Sequence, residues 1–220
     1  MAKDYLNGPF ERELNYKLWS TKGARFVAAR RLETKAKLSV WALSSFSAYL
    51  IVFSILGAMF DLSPIGISEQ IVTFSLITLS ILVLVVSQEI NRSEYRWRAF
   101  EHHKCALEIG RLYSRLRMIK KEDGTPADIV LVEEISNEYQ VVLEKYENHE
   151  GIDYDLFRVL KSDYEDHSLG WWPGTLCRVK YFWHTYVPYV VAMVVPGIVL
   201  IALVYKLAAG APVEGGSLSE

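Results

Sequence analysis

Cysteine is scarce throughout this sequence, and charged residues are scarce in three parts of it. Cys105 and Cys177 are the two cysteines of the chain, and both lie in segments that the charge pattern assigns to the cytoplasm. A framework of structural disulfides is therefore not expected. Charged residues make up 23% of the sequence, yet they are nearly absent from three stretches in which the hydrophobic residues concentrate.

These three apolar stretches predict three transmembrane helices. The segments Ser39–Phe60 and Tyr186–Tyr205 contain no charged residue. The segment Ile65–Ser87 contains Glu69 near its start. A helix needs about 20 predominantly apolar residues to cross the hydrocarbon core of a bilayer. A secretory signal peptide does not explain the first segment, because it begins far into the chain and no small-residue cleavage pattern follows it.

Basic residues flank these segments unevenly. Between Lys17 and Lys37 they are frequent and Glu33 is the single acid, whereas the connection between the first two segments contains no Lys or Arg. Further basic residues follow the second segment and precede the third, namely Arg92, Arg96, Arg98, Lys104, Arg178 and Lys180. Cytoplasmic flanks carry such an excess of Lys and Arg. We therefore expect the N-terminus and residues 88–185 in the cytoplasm and the C-terminus outside.

Glycine and proline are missing from long parts of the chain, which permits long helices. Neither occurs between Gly23 and Gly57, and Gly110 is the only one between Gly66 and Gly124. We predict an all-α protein in which one unbroken helix runs from Ile67 to Lys121. Two further helices are predicted to follow, one from about Pro126 to His149 and a shorter one from Gly151 to about Ser168.

The predicted organisation combines a membrane part with a cytoplasmic helical bundle. It consists of a basic N-terminal helix (1–38), a transmembrane hairpin (39–87), a cytoplasmic helical domain (88–170), an interfacial segment with the third transmembrane helix (171–207) and a flexible tail (208–220). Apolar seams at helical spacing predict how the bundle packs: Ile109, Leu112, Leu116 and Ile119 on one helix, and Val132, Ile135, Tyr139, Val142 and Tyr146 on the next.

Charge is segregated along the cytoplasmic part. The stretch 92–121 is rich in basic residues, and the stretch 122–170 is rich in acidic ones. The basic N-terminal segment is a second positive partner. Folding the acidic helices against the basic helix, within one subunit or between subunits, would neutralise both; the alternative is a pair of solvated faces of opposite charge. Nucleic acid is not expected as a partner, because no stacking platform or binding motif accompanies the basic residues.

Catalytic and metal-binding motifs are missing. There is no phosphate loop, dinucleotide fingerprint, nucleophile elbow or HExxH, so we expect no enzyme and no cofactor. His102, His103 and Cys105 lie close together in the sequence. On a helix, His102 and Cys105 would supply at most two ligands of a zinc site that needs four, so no metal is expected. The Tyr164–His167 stretch comes nearest to a catalytic cluster and is interpreted as the end of an acidic helix.

Small polar residues form two stripes in the first two transmembrane segments. In the first segment, a seven-residue spacing places Ser47, Ser54 and Asp61 on one face of the helix. In the second segment, the same spacing places Thr73, Ser80 and Ser87 on one face. Two interpretations fit the stripes: they are close-packing residues that bond to their own backbone, or they are the lining of a pore. In a pore, Asp61 and Glu69 would lie at the outer mouth and favour cations.

Aromatic residues crowd the approach to the third segment. Trp171, Trp172 and Trp183 are candidate anchors at the membrane interface, where amphipathic rings are favoured. Within the third segment, Pro188, Pro196 and Gly197 predict a kink or a flexible half-helix.

Two stretches of the sequence resemble a known family. The stretch ARFVAARRLETKAKLSVWALSSFSAYLIVFSIL at 24–56 resembles the start of SLATT domains, the SMODS- and SLOG-associating two-transmembrane effectors. The stretch at 91–117, with the pattern His103, Ala106, Leu107 and Leu112, is similar to the family's post-membrane helix. The resemblance covers roughly 13–207, and the third segment fits a subgroup with an added C-terminal helix, similar to those found beside reverse transcriptases.

The resemblance implies a function for the chain. It implies a membrane effector of bacterial antiviral defence of the abortive-infection type, which forms homo-oligomers and permeabilises or depolarises the inner membrane when triggered. Implied partners are the lipid bilayer and a nucleotide-signalling enzyme or reverse transcriptase encoded nearby. A different expectation is a membrane anchor that forms no pore and recruits a cytoplasmic defence enzyme; a membrane enzyme would need a cluster of acids, histidines or nucleophiles near the interface.

Overall fold

The fold was analysed in a computed structural model, which describes residues 9–60, 62, 68–119, 128–164, 167 and 170–210. The helices are α1 (Phe10–Met59), α2 (Glu69–Arg92), α3 (Tyr95–Ile119), α4 (Ile129–Lys145), α5 (Gly151–Leu160), α6 (Trp171–Thr185) and α7 (Val187–Gly210). None of the described residues lies in a β-strand. The prediction of an all-α protein is confirmed.

The chain divides into two compact units. The bundle unit comprises residues 1–36 and 94–185, and the spanning unit comprises residues 37–93 and 186–220. Helix α1 contributes its first part to the bundle unit and its second part to the spanning unit.

The core of the bundle unit lies between α1, α3 and α4. Its buried members are Leu14, Leu18, Cys105, Ile109, Leu112, Leu116, Val132, Ile135, Tyr139 and Tyr146, with Ile119 and Val142 partly buried against them. Both predicted apolar seams are thus confirmed as buried, and the last residue of the second seam, Tyr146, lies just beyond the end of its helix. The three- and four-residue spacing puts each seam on one side of its helix, so that burying the seams removes apolar surface from water and stabilises the bundle.

Helix α5 packs closely against the first part of α1. A Cβ atom built at Gly23 would overlap the ring of Phe157. Glycine is therefore required at this crossing, where the aromatic ring of Phe157 lies directly against the α1 backbone.

The predicted unbroken helix from Ile67 to Lys121 is wrong. The structure ends one helix at Arg92 and starts the next at Tyr95, with Ser93 and Glu94 in a turn between them. Glu94 has φ of 44°, the left-handed conformation that non-glycine residues seldom adopt. The expectation rested on the lack of glycine and proline, and the break occurs without either.

The boundaries of the next two helices also differ from the predictions. Helix α4 begins at Ile129, where the carboxylate of Asp128 accepts a hydrogen bond from the N–H of Val130 at 3.0 Å, and Pro126 lies outside the described residues. It ends at Lys145 because Tyr146 is extended, with φ of −120° and ψ of 145°. Helix α5 starts at Gly151 as predicted, but it ends at Leu160 instead of continuing to about Ser168.

The spanning unit contains apolar helices of membrane-crossing length. Among the residues that the structure describes, three helices are long and apolar enough to cross a membrane, with a buried share of 6% in the apolar part of α1 and 0% in the other two. Their side chains therefore face outward from the single chain, as lipid contact requires. This agrees with three predicted transmembrane segments. Helix α7 continues through Pro196, and Pro188 lies in its first turn, where a backbone N–H is not needed.

Candidate functional site

The predicted polar stripes lie on the outside of the spanning unit. Ser47, Ser54, Thr73, Ser80 and Glu69 are exposed, Ser87 is half-buried, and Asp61 lies outside the described residues. Because the stripe side chains point away from the rest of the chain, a single copy does not enclose a lumen with them. A pore lined by these residues would need several copies.

The stripe hydroxyls bond to their own helices at two positions. The hydroxyl of Ser47 donates to the carbonyl of Leu43 at 3.1 Å, and that of Ser80 donates to the carbonyl of Leu76 at 2.7 Å. A serine satisfied in this way can face lipid at little cost, and it can also face water, where it exchanges partners readily. The geometry is therefore compatible with both interpretations of the stripes.

A tyrosine joins two of the spanning helices. The Tyr49 hydroxyl donates to the carbonyl of Met193 at 2.8 Å. Nearby, Pro196 interrupts the hydrogen bonding of α7, because proline has no N–H for the carbonyl of Ala192. A Cβ atom at Gly197 would lie 2.9 Å from the Tyr49 hydroxyl oxygen, so glycine permits the approach. Pro196 was a signal for an unusual site, but the sequence did not indicate Tyr49 as its partner.

The bundle unit holds a buried ion pair. The Nε of Arg31 donates to Oδ1 of Asp153 at 2.7 Å and its Nη2 donates to Oδ2 at 3.0 Å, with 1% and 0% of the two side chains exposed. Glu150 lies 2.9 Å from the same guanidinium and is partly exposed. Burial opposes the charge of Arg31, but the hydrogen bonds and charges of Asp153 and Glu150 outweigh it and raise the pKa of the guanidinium.

A second buried cation lies on the same helix. The Arg25 side chain is fully buried and donates to the backbone carbonyl of Glu147, to Oδ1 of Asn148 at 3.2 Å and towards Nδ1 of His102 at 3.2 Å. Since Arg25 is a donor only, His102 must accept through Nδ1 and carry its proton on Nε2. Among the residues that the structure describes, the Nε of Arg25 has no hydrogen-bond partner.

The histidines near Arg25 and Lys35 are held neutral. Burial and the charge of Arg25 lower the pKa of His102 to about 4. Burial and Arg25 also lower the pKa of His149. For His184, burial and the charge of Lys35 lower the pKa. These histidines therefore stay uncharged at neutral pH.

The predicted charge pairing between helices is confirmed within one subunit. Arg115 on α3 contacts Glu134 at 3.0 Å and Glu138 at 2.5 Å, both on α4. Lys145 lies 3.1 Å from Glu108. The sequence-based interpretation took the basic N-terminal segment both as an orientation signal and as a second positive partner of the acidic helices, and the contacts of Arg31 with Glu150 and Asp153 agree with the second role. It did not indicate that Arg25, Arg31 and Lys35 are buried. Asp153, in an apolar pattern beside Ile152, was the available clue to this burial.

Tyr164 and His167 belong to an aromatic cluster. The Tyr16 hydroxyl and Nε2 of His167 are 2.9 Å apart, and the ring of Trp19 stacks on His167 at 5.4 Å between centroids. The ring of Tyr164 contacts the rings of Tyr16 and Trp19. His167 is fully buried. The arrangement fixes the position of the histidine between helices, as a structural residue would require.

The sequence neighbours His102 and Cys105 are both buried in the bundle unit. Burial raises the pKa of the Cys105 thiol, which makes it a poor nucleophile and a poor metal ligand at neutral pH. Within the described ranges, no group of three or more His, Cys, Asp or Glu side chains is placed to hold a metal ion. The candidate anchors on α6 are exposed: Trp171 by 80%, Trp172 by 69% and Trp183 by 66%.

Three outward-facing apolar helices joined to a charged helical bundle define a polytopic α-helical membrane protein. Comparison with known families is more specific. The model of the SMODS and SLOG-associating 2TM effector domain family 5 matches residues 9–202, and the chain belongs to this family. Membership identifies it as a membrane effector of defence systems. The match extends into α7, so the third spanning helix lies largely within it. No curated protein and no solved structure gives a significant match.

Proposed function

We propose that the chain is a bacterial antiviral effector of the abortive-infection type, which oligomerises and permeabilises or depolarises the inner membrane when triggered. The observation that carries the proposal is the exposure of hydroxyl-bearing residues on two apolar helices of a chain that belongs to an effector family. The proposed lining is Ser47, Ser54, Thr73, Ser80 and Ser87, with Asp61 and Glu69 at the outer mouth.

Oligomerisation is required by this proposal. The stripe residues face outward from a single copy, so a lumen forms only when the same face of several copies turns towards a common axis. Closed rings of identical subunits are the usual way in which one chain builds such a channel. The hydroxyls would then exchange their backbone acceptors for water.

In this proposal the bundle unit controls the pore. The uneven distribution of basic residues supports a C-terminus outside and a bundle unit in the cytoplasm. There it could meet a nucleotide-signalling enzyme or a reverse transcriptase encoded nearby, which senses infection. The chain acts by rearranging its helices and performs no enzymatic step.

Ion flux through vesicles tests the lining. We expect Ser54→Leu and Ser80→Leu to abolish dye or ion release from vesicles containing the triggered, full-length protein, because each removes a polar group from the lumen. The matched control is Thr78→Leu, an exposed change on the same helix as Ser80 but on another face. Equal release from the stripe variants and the control, with normal insertion and assembly, would assign the hydroxyls to packing.

A second candidate function is a membrane anchor that recruits a cytoplasmic defence enzyme and forms no pore. The observation that favours it is an exposed apolar group where α3 ends and α4 begins: Met118 is exposed by 79%, Ile129 by 78% and Val130 by 72%. Exposed apolar groups of this kind mark protein contacts. Substituting these three residues with Ser should abolish protection against phage in either case, but membrane release by a triggered wild-type protein would exclude the anchor.

A further inference from the structure

Helix α6 has two apolar faces, of which the chain covers only one. One face packs towards α5 and contains Gly174, Cys177, Tyr181 and the fully buried Thr185. The opposite face contains Trp172, Leu176, Val179 and Trp183, which are exposed by 69%, 60%, 53% and 66%. The spacing of four, three and four residues places these four side chains in one stripe along the helix. An apolar stripe of this length on a soluble surface would be unusual.

The charge of α6 indicates what covers the stripe. Arg178 and Lys180 are exposed, and the helix contains no acidic residue. A second copy packed on the same stripe through a two-fold contact would bring the four cations of two helices together, which is unfavourable. A surface of anionic headgroups would instead attract these cations while accepting the apolar stripe.

Chain connectivity supports a lipid surface. Helix α6 ends at Thr185 and α7, which is long and apolar enough to cross a membrane, begins at Val187. With one residue between them, the end of α6 lies within about 8 Å of the start of the spanning helix. The three tryptophans of α6 have the ring type that prefers the headgroup region.

We propose that α6 is a membrane-surface helix that binds anionic lipid, with Trp172, Leu176, Val179 and Trp183 inserted at the boundary between headgroups and acyl chains. The helix lies in the plane of the membrane, because the stripe runs along its whole length. The opposite face of α6 packs towards α5. The bundle unit is therefore attached to the membrane by the lipid-bound stripe of α6 as well as by its covalent connection to the spanning helices. This assignment does not depend on pore formation.

Spin-label accessibility in the full-length protein tests this assignment. In a Cys105→Ala, Cys177→Ser background, a nitroxide is placed at Leu176→Cys, Val179→Cys or the exposed control Glu144→Cys, in vesicles of phosphatidylethanolamine and phosphatidylglycerol. At 176 and 179 we expect collisions with an aqueous nickel reagent to fall severalfold relative to 144, while collisions with oxygen rise. Aqueous exposure equal to that of 144 would overturn the proposal. Protection from both reagents would also overturn it, since it would show a protein partner on the stripe.

A fluorescence measurement covers the case in which the cysteine background does not fold. In the protein with native cysteines, brominated lipid should quench fluorescence, and the quenched fraction should fall in Trp172→Phe and Trp183→Phe. An unchanged fraction would contradict insertion.

A charge reversal in the spin-labelled protein tests the role of charge. Arg178→Glu with Lys180→Glu should move the labels at 176 and 179 towards water. An unchanged depth would contradict the binding of anionic lipid.

Discussion

The bundle unit and the spanning unit use the same helix, α1, in opposite ways. In the bundle unit α1 buries Leu14, Leu18 and Leu32 together with the charged Arg25 and Arg31. In the spanning unit it exposes large apolar side chains, among them Trp41 by 68%, Ile51 by 62% and Met59 by 72%. The difference reflects the medium around each part, since water drives apolar groups inward and lipid does not.

The comparison indicates where stability should reside. Contacts in the bundle unit are strengthened by the removal of apolar surface from water and by buried charge pairs that are costly to break. Contacts in the spanning unit compete with lipid tails, so single hydrogen bonds and close approaches contribute less. Substitutions in the two units should therefore differ in size.

Breaking the buried ion pair should give the largest effect. Asp153→Ala leaves the fully buried Arg31 without its main partner, and the free energy of unfolding should fall by about 3–5 kcal/mol. Chemical denaturation of the detergent-solubilised chain, followed by circular dichroism, measures the loss. Arg98→Ala, which breaks the exposed pair with Glu147, is the control and should cost at most about 1 kcal/mol. Similar losses from both changes would contradict the account.

Acid should destabilise the bundle unit through His102. Its folded-state pKa is about 4, whereas an unfolded histidine titrates near 6.5. The unfolded chain therefore binds the proton first, so stability is complete above about pH 6.5 and is lost as the pH falls towards 4, by about 2 kcal/mol at pH 5. Denaturation at several pH values should show a smaller slope in His102→Gln, although His149 and His184 contribute in the same direction.

The slope of stability against pH in His102→Gln decides whether His102 is the group that titrates. A slope that is the same in His102→Gln and in the wild type would show that the buried imidazole is not the group that titrates.

The contact of Tyr49 in the spanning unit should give the smallest effect. Tyr49→Phe removes the hydrogen bond to Met193 and should lower stability by about 1 kcal/mol in mixed micelles. Gly197→Ala should also destabilise, because its Cβ approaches the Tyr49 hydroxyl. That cost should shrink in the Tyr49→Phe background, as a double-mutant cycle would measure. Tyr205→Phe, at a position exposed by 73%, should be neutral. Additive costs would contradict a direct contact.

Local patterns predicted most of the helices but not the contacts that are specific to the fold. The seams of α3 and α4 were legible because apolar spacing reports directly on the buried face of a helix. The turn at Glu94 was not, because glycine and proline are the local signals of a break and neither is present.

The same limit applies to the candidate site. Opposite charge on the two halves of the bundle predicted pairing such as that of Arg115 with Glu134 and Glu138. It also predicted the basic N-terminal segment as a partner of the acidic helices, but not the specific pair of Arg31 with Asp153, which is 122 positions away, because nothing local links the two residues. The polar stripes were visible as a period, and their role in a pore stays a prediction until conduction is measured.

Membrane potential in living cells tests the central proposal most directly. Cells that produce the protein with its genomic neighbours are loaded with a voltage-sensitive dye and followed before and after phage challenge. The account predicts rapid depolarisation after infection, and its loss when the three spanning helices are replaced by unrelated transmembrane segments. A steady potential in a culture that still resists the phage would contradict the pore and leave the chain as a recruiting anchor.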